Sequence, residues 1–241
     1  MVNRAITAFG LVVVLLISQV AFGIDPEANA VFRLRTPAMA DGSVGQGTCF
    51  GIKQTDTTLY LATAFHVVET TKGNITTGYA YQLESDTLKN LPKAKVVAVD
   101  IKADLAVLAC QLERKFDILP LAAVENMKDV RKIGFAYGPS KKEVKLFGYA
   151  SGFWLETSGI LSFAYENSVY SDVSCCPGMS GGPATCEGAI IGVISGGSAW
   201  YDAVEDKDKV VTWPSRLGSA RRLNEILQWA VKNDVSKSTT K

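Results

Sequence analysis

The feature that most constrains this chain is one serine set among glycines, Gly178-Met179-Ser180-Gly181-Gly182-Pro183. Cys175-Cys176-Pro177 precedes it and the apolar run Ala189-Ile190-Ile191-Gly192-Val193-Ile194 follows. Glycine has no Cβ, so it takes positive φ and lets a second backbone come close. A loop of this composition predicts an outward-turned Ser180 hydroxyl, with the N–H groups of Gly178 and Ser180 directed into one space. Acyl transfer asks for that arrangement, a nucleophile beside donors aimed at the developing oxyanion. The plain alternative is a tight turn between two strands, where Gly and Pro are ordinary punctuation.

Two upstream residues weigh against the plain reading. The only histidine, His66, closes the strand-forming run Leu59-Tyr60-Leu61-Ala62-Thr63-Ala64-Phe65, where a strand would give way to a loop or short helix. Asp104 stands at the entrance of Leu105-Ala106-Val107-Leu108, with apolar residues on both sides. Alone, the first reads as a core histidine and the second as a strand-end aspartate. Together with Ser180 they supply a base near neutral pH, a carboxylate to orient it and a hydroxyl to activate.

The order His66, Asp104, Ser180, in these local contexts, resembles the trypsin-like (chymotrypsin-fold) serine peptidases, closest to their HtrA-like bacterial branch. The segments carrying the resemblance are Gly45-Gln46-Gly47-Thr48-Cys49-Phe50-Gly51-Ile52, Thr63-Ala64-Phe65-His66-Val67-Val68, Asp104-Leu105-Ala106-Val107-Leu108, the serine loop and Gly192-Val193-Ile194-Ser195. Subtilisins and α/β-hydrolases order their triads differently. The resemblance implies an all-β fold of two six-stranded antiparallel barrels with a C-terminal helix. It implies His66, Asp104 and Ser180 as the triad, and Gly178 and Ser180 as oxyanion donors. Ser195 would line the site and touch the acid, Gly196 and Gly197 would pair with bound peptide, and Ser174 would mark the floor of the specificity pocket.

Two departures bear on mechanism. Digestive members carry, just before the serine, an aspartate that pairs with a newly cut N-terminus; here that residue is Met179, so activation through such an ion pair is not expected. Ser174 brings no carboxylate to the pocket, so a preference for Lys or Arg lacks its counter-ion, and small or apolar side chains are expected there. No C-terminal PDZ domain is expected, since the chain stops after its helix.

Composition agrees with a globular chain. Apolar residues make up 47% and charged residues 20%, and 25 basic against 24 acidic residues give no pointer to nucleic acid. Residues 1–23 form a separate object, with Arg4, a charge-free run and Ala21-Phe22-Gly23 reading as a cleaved signal peptide. An uncleaved anchor is the alternative, and only then is a membrane a partner. Either way the rest is exported, secreted or periplasmic.

Strands are predicted near 30–36, 46–53, 58–64, 77–83, 94–100 and 104–110, giving a first barrel over 30–111. A crossover over 112–124 leads to a second barrel over 125–216, with strands near 130–136, 143–153, 158–165, 183–186, 189–195 and 210–213. A helix over 219–232, within a segment 217–234, turns Leu223, Ile226, Leu227, Ala230 and Val231 inward, with Ser219 as cap and Arg221, Arg222 and Glu225 facing water. Residues 235–241 read as a frayed tail.

The five cysteines are an odd number for an exported protein. Cys175 and Cys176 flank the serine loop and either is open to a disulfide with Cys186; Cys49 and Cys110 read equally as buried thiols or a bridge. Neither metal nor cofactor is expected. The acidic loop 198–209 and the sequon Asn74-Ile75-Thr76 read as a solvated loop and a chance match. The leading function is thus an exported serine endopeptidase acting on protein or peptide substrates. A non-catalytic peptide-binding module on the same scaffold is the alternative, and a thiol sensor built on Cys175-Cys176 a third reading. Oligomeric state is not legible.

Overall fold

A computed structural model describes residues 24–26, 28–38, 44–69, 80–122, 143–165, 168–197 and 215–233. Six strands, β1 (Val31–Ala38), β2 (Val44–Gln54), β3 (Thr58–Ala64), β4 (Ala80–Glu84), β5 (Lys93–Asp100) and β6 (Leu105–Gln111), close into one antiparallel barrel in the order β1-β2-β3-β6-β5-β4. A single helical turn, α1 (Phe65–Val68), leaves the end of β3. A second closed barrel, ordered β10-β11-β12-β9-β8-β7, contains β7 (Glu143–Ala150), β8 (Phe153–Tyr165), β9 (Ser168–Ser171), β10 (Pro183–Cys186), β11 (Ala189–Gly197) and β12 (Ser215–Ser219). The helix α2 (Ala220–Lys232) follows directly. The all-β architecture of two six-stranded barrels with a C-terminal helix is the one the sequence implied.

The uninterrupted apolarity of β3 has a two-sided cause. Alternate strand residues face opposite ways. Leu59 and Leu61 point into the first barrel beside Phe32, Leu34, Leu83 and Leu108. Tyr60 and Ala62 point outward into a second cluster with Val107, Phe147, Val193, Leu223 and Leu227. That outer cluster joins the two barrels and α2, so both faces of β3 are covered. The second barrel has its own interior, including Val144, Leu146, Leu161, Val169, Ile191, Ile194 and Leu217. The crossover reaches it through Ile190, whose N–H donates to Pro120 O and whose carbonyl accepts from Ala122 N, each at 2.8 Å.

Strand boundaries differ most in the second barrel. The predicted strand 143–153 is two strands, split by a two-residue turn at Ser151 (φ 49°) and Gly152 (φ 90°). The predicted 158–165 is the far half of long β8. Short β9 and β12 replace any reading based on apolar runs: Ser171 and Ser215 are buried and share a 2.5 Å hydroxyl contact. In β12, a Cβ on Gly218 would stand 2.5 Å from Leu105 Cδ2, so a bare backbone is needed where the barrels touch. The predicted strands near 130–136 and 210–213, the segments 1–23 and 235–241, the loop 198–209 and the sequon lie outside the described residues.

Ser219 caps α2, its hydroxyl accepting from Arg222 N at 3.3 Å, and Leu223, Leu227 and Ala230 are buried as the periodicity required. Arg222 is a correction. It is half-buried and reaches back to the first barrel, its Nε donating to Asp100 Oδ2 at 2.9 Å. Arg221 does pair on the surface with Glu225 at 3.1 Å.

Candidate active site

The first barrel delivers two of the three expected groups. β3 ends at Ala64 and α1 buries Phe65, Val67 and Val68, which leaves His66 as the residue of that turn directed outward, 43% exposed. The turn between β5 and β6 carries Asp104, whose N–H donates to Ile101 O at 3.2 Å. Its φ of 54° is left-handed, a conformation aspartate tolerates better than most residues. This backbone twist turns the carboxylate onto α1. Oδ1 accepts from His66 N at 2.9 Å, and Oδ2 lies 2.8 Å from His66 Nδ1. Oδ2 also accepts from the Ser195 hydroxyl, which arrives from the other barrel at an irregularity in the β11–β12 register.

Burial alone would raise the Asp104 carboxyl. The hydrogen bond and charge of the His66 ring, with the bonds from Ser195 and His66 N–H, outweigh it and hold the group below the ordinary carboxylate value. With Asp104 ionised, the network assigns the ring proton to Nδ1 and leaves the Nε2 lone pair as the acceptor.

Ser180 lies on the opposing loop. Its carbonyl accepts from Thr48 N at 2.8 Å, and the next residue, Gly181, donates to Ile194 O at 2.6 Å. A Cβ on Gly47 would stand 2.5 Å from Val67 Cγ1 and 3.1 Å from Ser180 O. A Cβ on Gly181 would stand 3.0 Å from Ala64 N and collide with Thr48 O and Thr63 Oγ1. Ser180 is therefore set against the two residues that flank Phe65 and His66. Among the described residues no hydrogen bond joins the Ser180 hydroxyl to His66; such bonds in ligand-free enzymes are often long and tighten only with substrate.

The turn before Ser180 is built for a donor. Met179 N donates to Cys176 O at 3.0 Å, closing a four-residue turn with Pro177 second and Gly178 third, and Gly178 has φ 96°. These are the features of a type II turn, with Pro and Gly at their preferred positions. Pro177 O accepts from Ser151 N at 3.2 Å. Because carbonyl and N–H of a trans peptide point oppositely, the Gly178 N–H is directed away from that hairpin. Among the described residues neither Gly178 N–H nor Ser180 N–H has an acceptor in the chain.

A family model, the trypsin-like peptidase domain, matches residues 47–193, more than half of the chain. The chain belongs to this family. Solved structures agree at the level of fold. A protease from M. tuberculosis in its active form shares 21% identity at a TM-score of 0.57, with 84% of this chain and 80% of that one covered. The serine endoprotease from Yersinia pestis shares 17% identity at a TM-score of 0.59, covering 86% and 64%. No sequence among curated proteins matches.

In this trypsin-like peptidase the remaining expected residues are placed as follows. Ser174 lies in the segment leading to the loop, its carbonyl accepting from Thr157 Oγ1 at 3.0 Å. Gly196 and Gly197 end β11 opposite Arg216 and Ser215; Gly196 has φ 124° and open space where a Cβ would stand. Of the cysteines considered for a bridge to Cys186, Cys175 and Cys176 both carry free thiols in this structure. Cys186 is in the barrel core, Cys176 is exposed, and Cys175 packs half-buried against that core. Burial, and then the adjacent Cys176, push the Cys175 thiol up, and burial pushes that of Cys110 up to about 11. Among the described residues no helix is long and apolar enough to cross a membrane.

Sequence reasoning missed Thr48 and the Ser151-Gly152 turn. Both act through main-chain partners distant in sequence. The only local signals were a hydroxyl in an apolar strand and a Ser-Gly pair inside a long β-type run.

Proposed function

We propose that this trypsin-like peptidase is an exported serine endopeptidase in which His66, Asp104 and Ser180 form the triad. The observation that carries the proposal is the His66–Asp104 pair, bonded through Nδ1 and placed beside the loop that holds Ser180. His66 Nε2 takes the hydroxyl proton as Ser180 Oγ attacks the scissile carbonyl carbon. The carbonyl oxygen becomes an oxyanion, for which Gly178 and Ser180 N–H are the donors. Collapse breaks the C–N bond, and the departing amine takes the proton from His66. The acyl-enzyme ester is then opened by water, which gives its proton to His66, and Ser180 is regenerated. Asp104 remains ionised throughout, steadying the imidazolium.

On the substrate side, Gly196 and Gly197 offer a strand edge for an extended peptide, and Ser174 favours small or apolar side chains at the cleaved position. Residues 1–23 direct the chain to the periplasm or outside the cell. The test is active-site labelling of the mature protein with a fluorophosphonate, mapped by mass spectrometry. Labelling at Ser180 that vanishes in His66→Ala is the expected result. A correctly folded wild type that neither labels nor cleaves a peptide library would end this reading.

A further inference from the structure

Thr48 is fully buried on β2 of the first barrel, yet most of its hydrogen bonds leave that barrel. Its hydroxyl donates to Gly178 O at 2.9 Å and accepts from Tyr149 N at 2.9 Å. Its N–H donates to Ser180 O at 2.8 Å, and its carbonyl accepts from Thr63 Oγ1 at 2.8 Å. Three polar groups thus make four hydrogen bonds, three of them to the second barrel. Two of the partners are the carbonyls that bracket Met179, between the two N–H groups available for an oxyanion.

This pattern restricts how the loop can turn. The Pro177–Gly178 peptide is held at one end by Ser151 N on Pro177 O, and the next peptide by Thr48 Oγ1 on Gly178 O. Tyr149, two residues before Ser151 in the same hairpin, is tied to that same hydroxyl. Rotating the Pro177–Gly178 peptide would convert the type II turn to type I and take Gly178 to negative φ, with its N–H reversed. Such a rotation breaks the Ser151 bond and strains the Gly178 carbonyl against Thr48. There is no slack nearby, since a Cβ on Gly148 would stand 3.0 Å from both Thr48 Oγ1 and Met179 Cα.

We infer that Thr48 is a positioning residue of the peptidase: from the first barrel, its hydroxyl and N–H hold the Gly178–Ser180 turn of the second in the conformation that presents the Gly178 N–H to an oxyanion. The inference rests on the peptidase reading above and adds a dependence of the oxyanion site on the seam between barrels. Thr48 touches no reacting atom; it acts through Gly178.

The variants are Thr48→Val, which keeps shape and removes the hydroxyl, Thr48→Ala as a second hydroxyl-free form, and Thr48→Ser, which restores it. Thermal unfolding confirms which of them fold. Loss of one oxyanion donor typically lowers turnover by about 10²–10³-fold. Thr48→Val or Thr48→Ala should therefore lose about 10²-fold in kcat with KM within about threefold, and lose affinity for a peptide boronic acid in step. Thr48→Ser should recover most of kcat. Crystals of a hydroxyl-free variant should show Gly178 at negative φ. Full kcat in a folded hydroxyl-free variant, with Gly178 still near its positive φ, overturns the inference and leaves the peptidase reading untouched. Equal losses in Thr48→Ser and Thr48→Val also overturn it, since the hydroxyl would then not be the agent. A wild type without labelling or turnover ends the peptidase reading instead, and the Gly178 conformation in the variant crystals still decides the role of Thr48.

Discussion

The two barrels hold their shares of the site by different physical means. In the first, the proposed base His66 and its acid Asp104 sit at the ends of regular strands, and the acid is fixed by hydrogen bonds to a neighbouring turn. In the second, the proposed nucleophile Ser180 sits on a loop held mostly by main-chain contacts, with the Thr48 hydroxyl on Gly178 O. Collisions await any Cβ on Gly178, Gly181 or Gly182, each from a carbonyl oxygen of another strand. A base must be aimed, which side-chain hydrogen bonds do; an oxyanion site must be rigid, which close backbone packing does better.

If the chemistry is shared between barrels, removing either reacting group should be equally severe. Ser180→Ala and His66→Ala are each expected to lower kcat by on the order of 10⁶, with no further loss in the double variant, because the groups act as a unit. Unequal single effects, read by hydrolysis of an optimised peptide, would break the symmetry. Asp104→Asn should cost about 10⁴, since the imidazole then settles in the wrong tautomer. Gly178→Ala sharpens the contrast: its Cβ collides with Tyr149 O at a φ that L-residues resist, so kcat should fall about 10²–10³-fold while KM changes little.

The smallest effect concerns stability and belongs to the first barrel. The Asp104 carboxyl is held below its ordinary value in the folded protein. Its contribution is therefore complete above the unfolded carboxylate value, about 3.9, and is lost as pH falls through the lower folded value. Unfolding midpoints of wild type and Asp104→Asn should converge toward the acid end of that window. A gap that persists unchanged to the lowest pH would show that the bonds around Asp104 contribute nothing through ionisation.

The same contrast explains what could be read from the amino acids alone. The first barrel was legible because its strands are apolar runs with clear ends, and because one histidine and one strand-entry aspartate stood out within them. The second was legible only where glycine and proline marked the loop. β12 is Ser-Arg-Leu-Gly-Ser, a turn-like composition that becomes a strand because Gly218 must pass close to Leu105. The break inside 143–153 depended on Ser151 adopting positive φ, which local composition does not announce. Arg222 read as a solvent residue because its partner, Asp100, lies far away in sequence. Thr48 lies within a motif, but three of its four partners are 101 to 132 residues on and the fourth is Thr63, so little near it disclosed a role.

The Arg222–Asp100 contact ties the helix α2 to the turn that carries Asp104. Asp100 also accepts from Ala103 N at 3.1 Å, inside the turn that ends on Asp104. The turn that carries Asp104 is thus braced from outside its own barrel, by a helix that follows the other barrel in the chain.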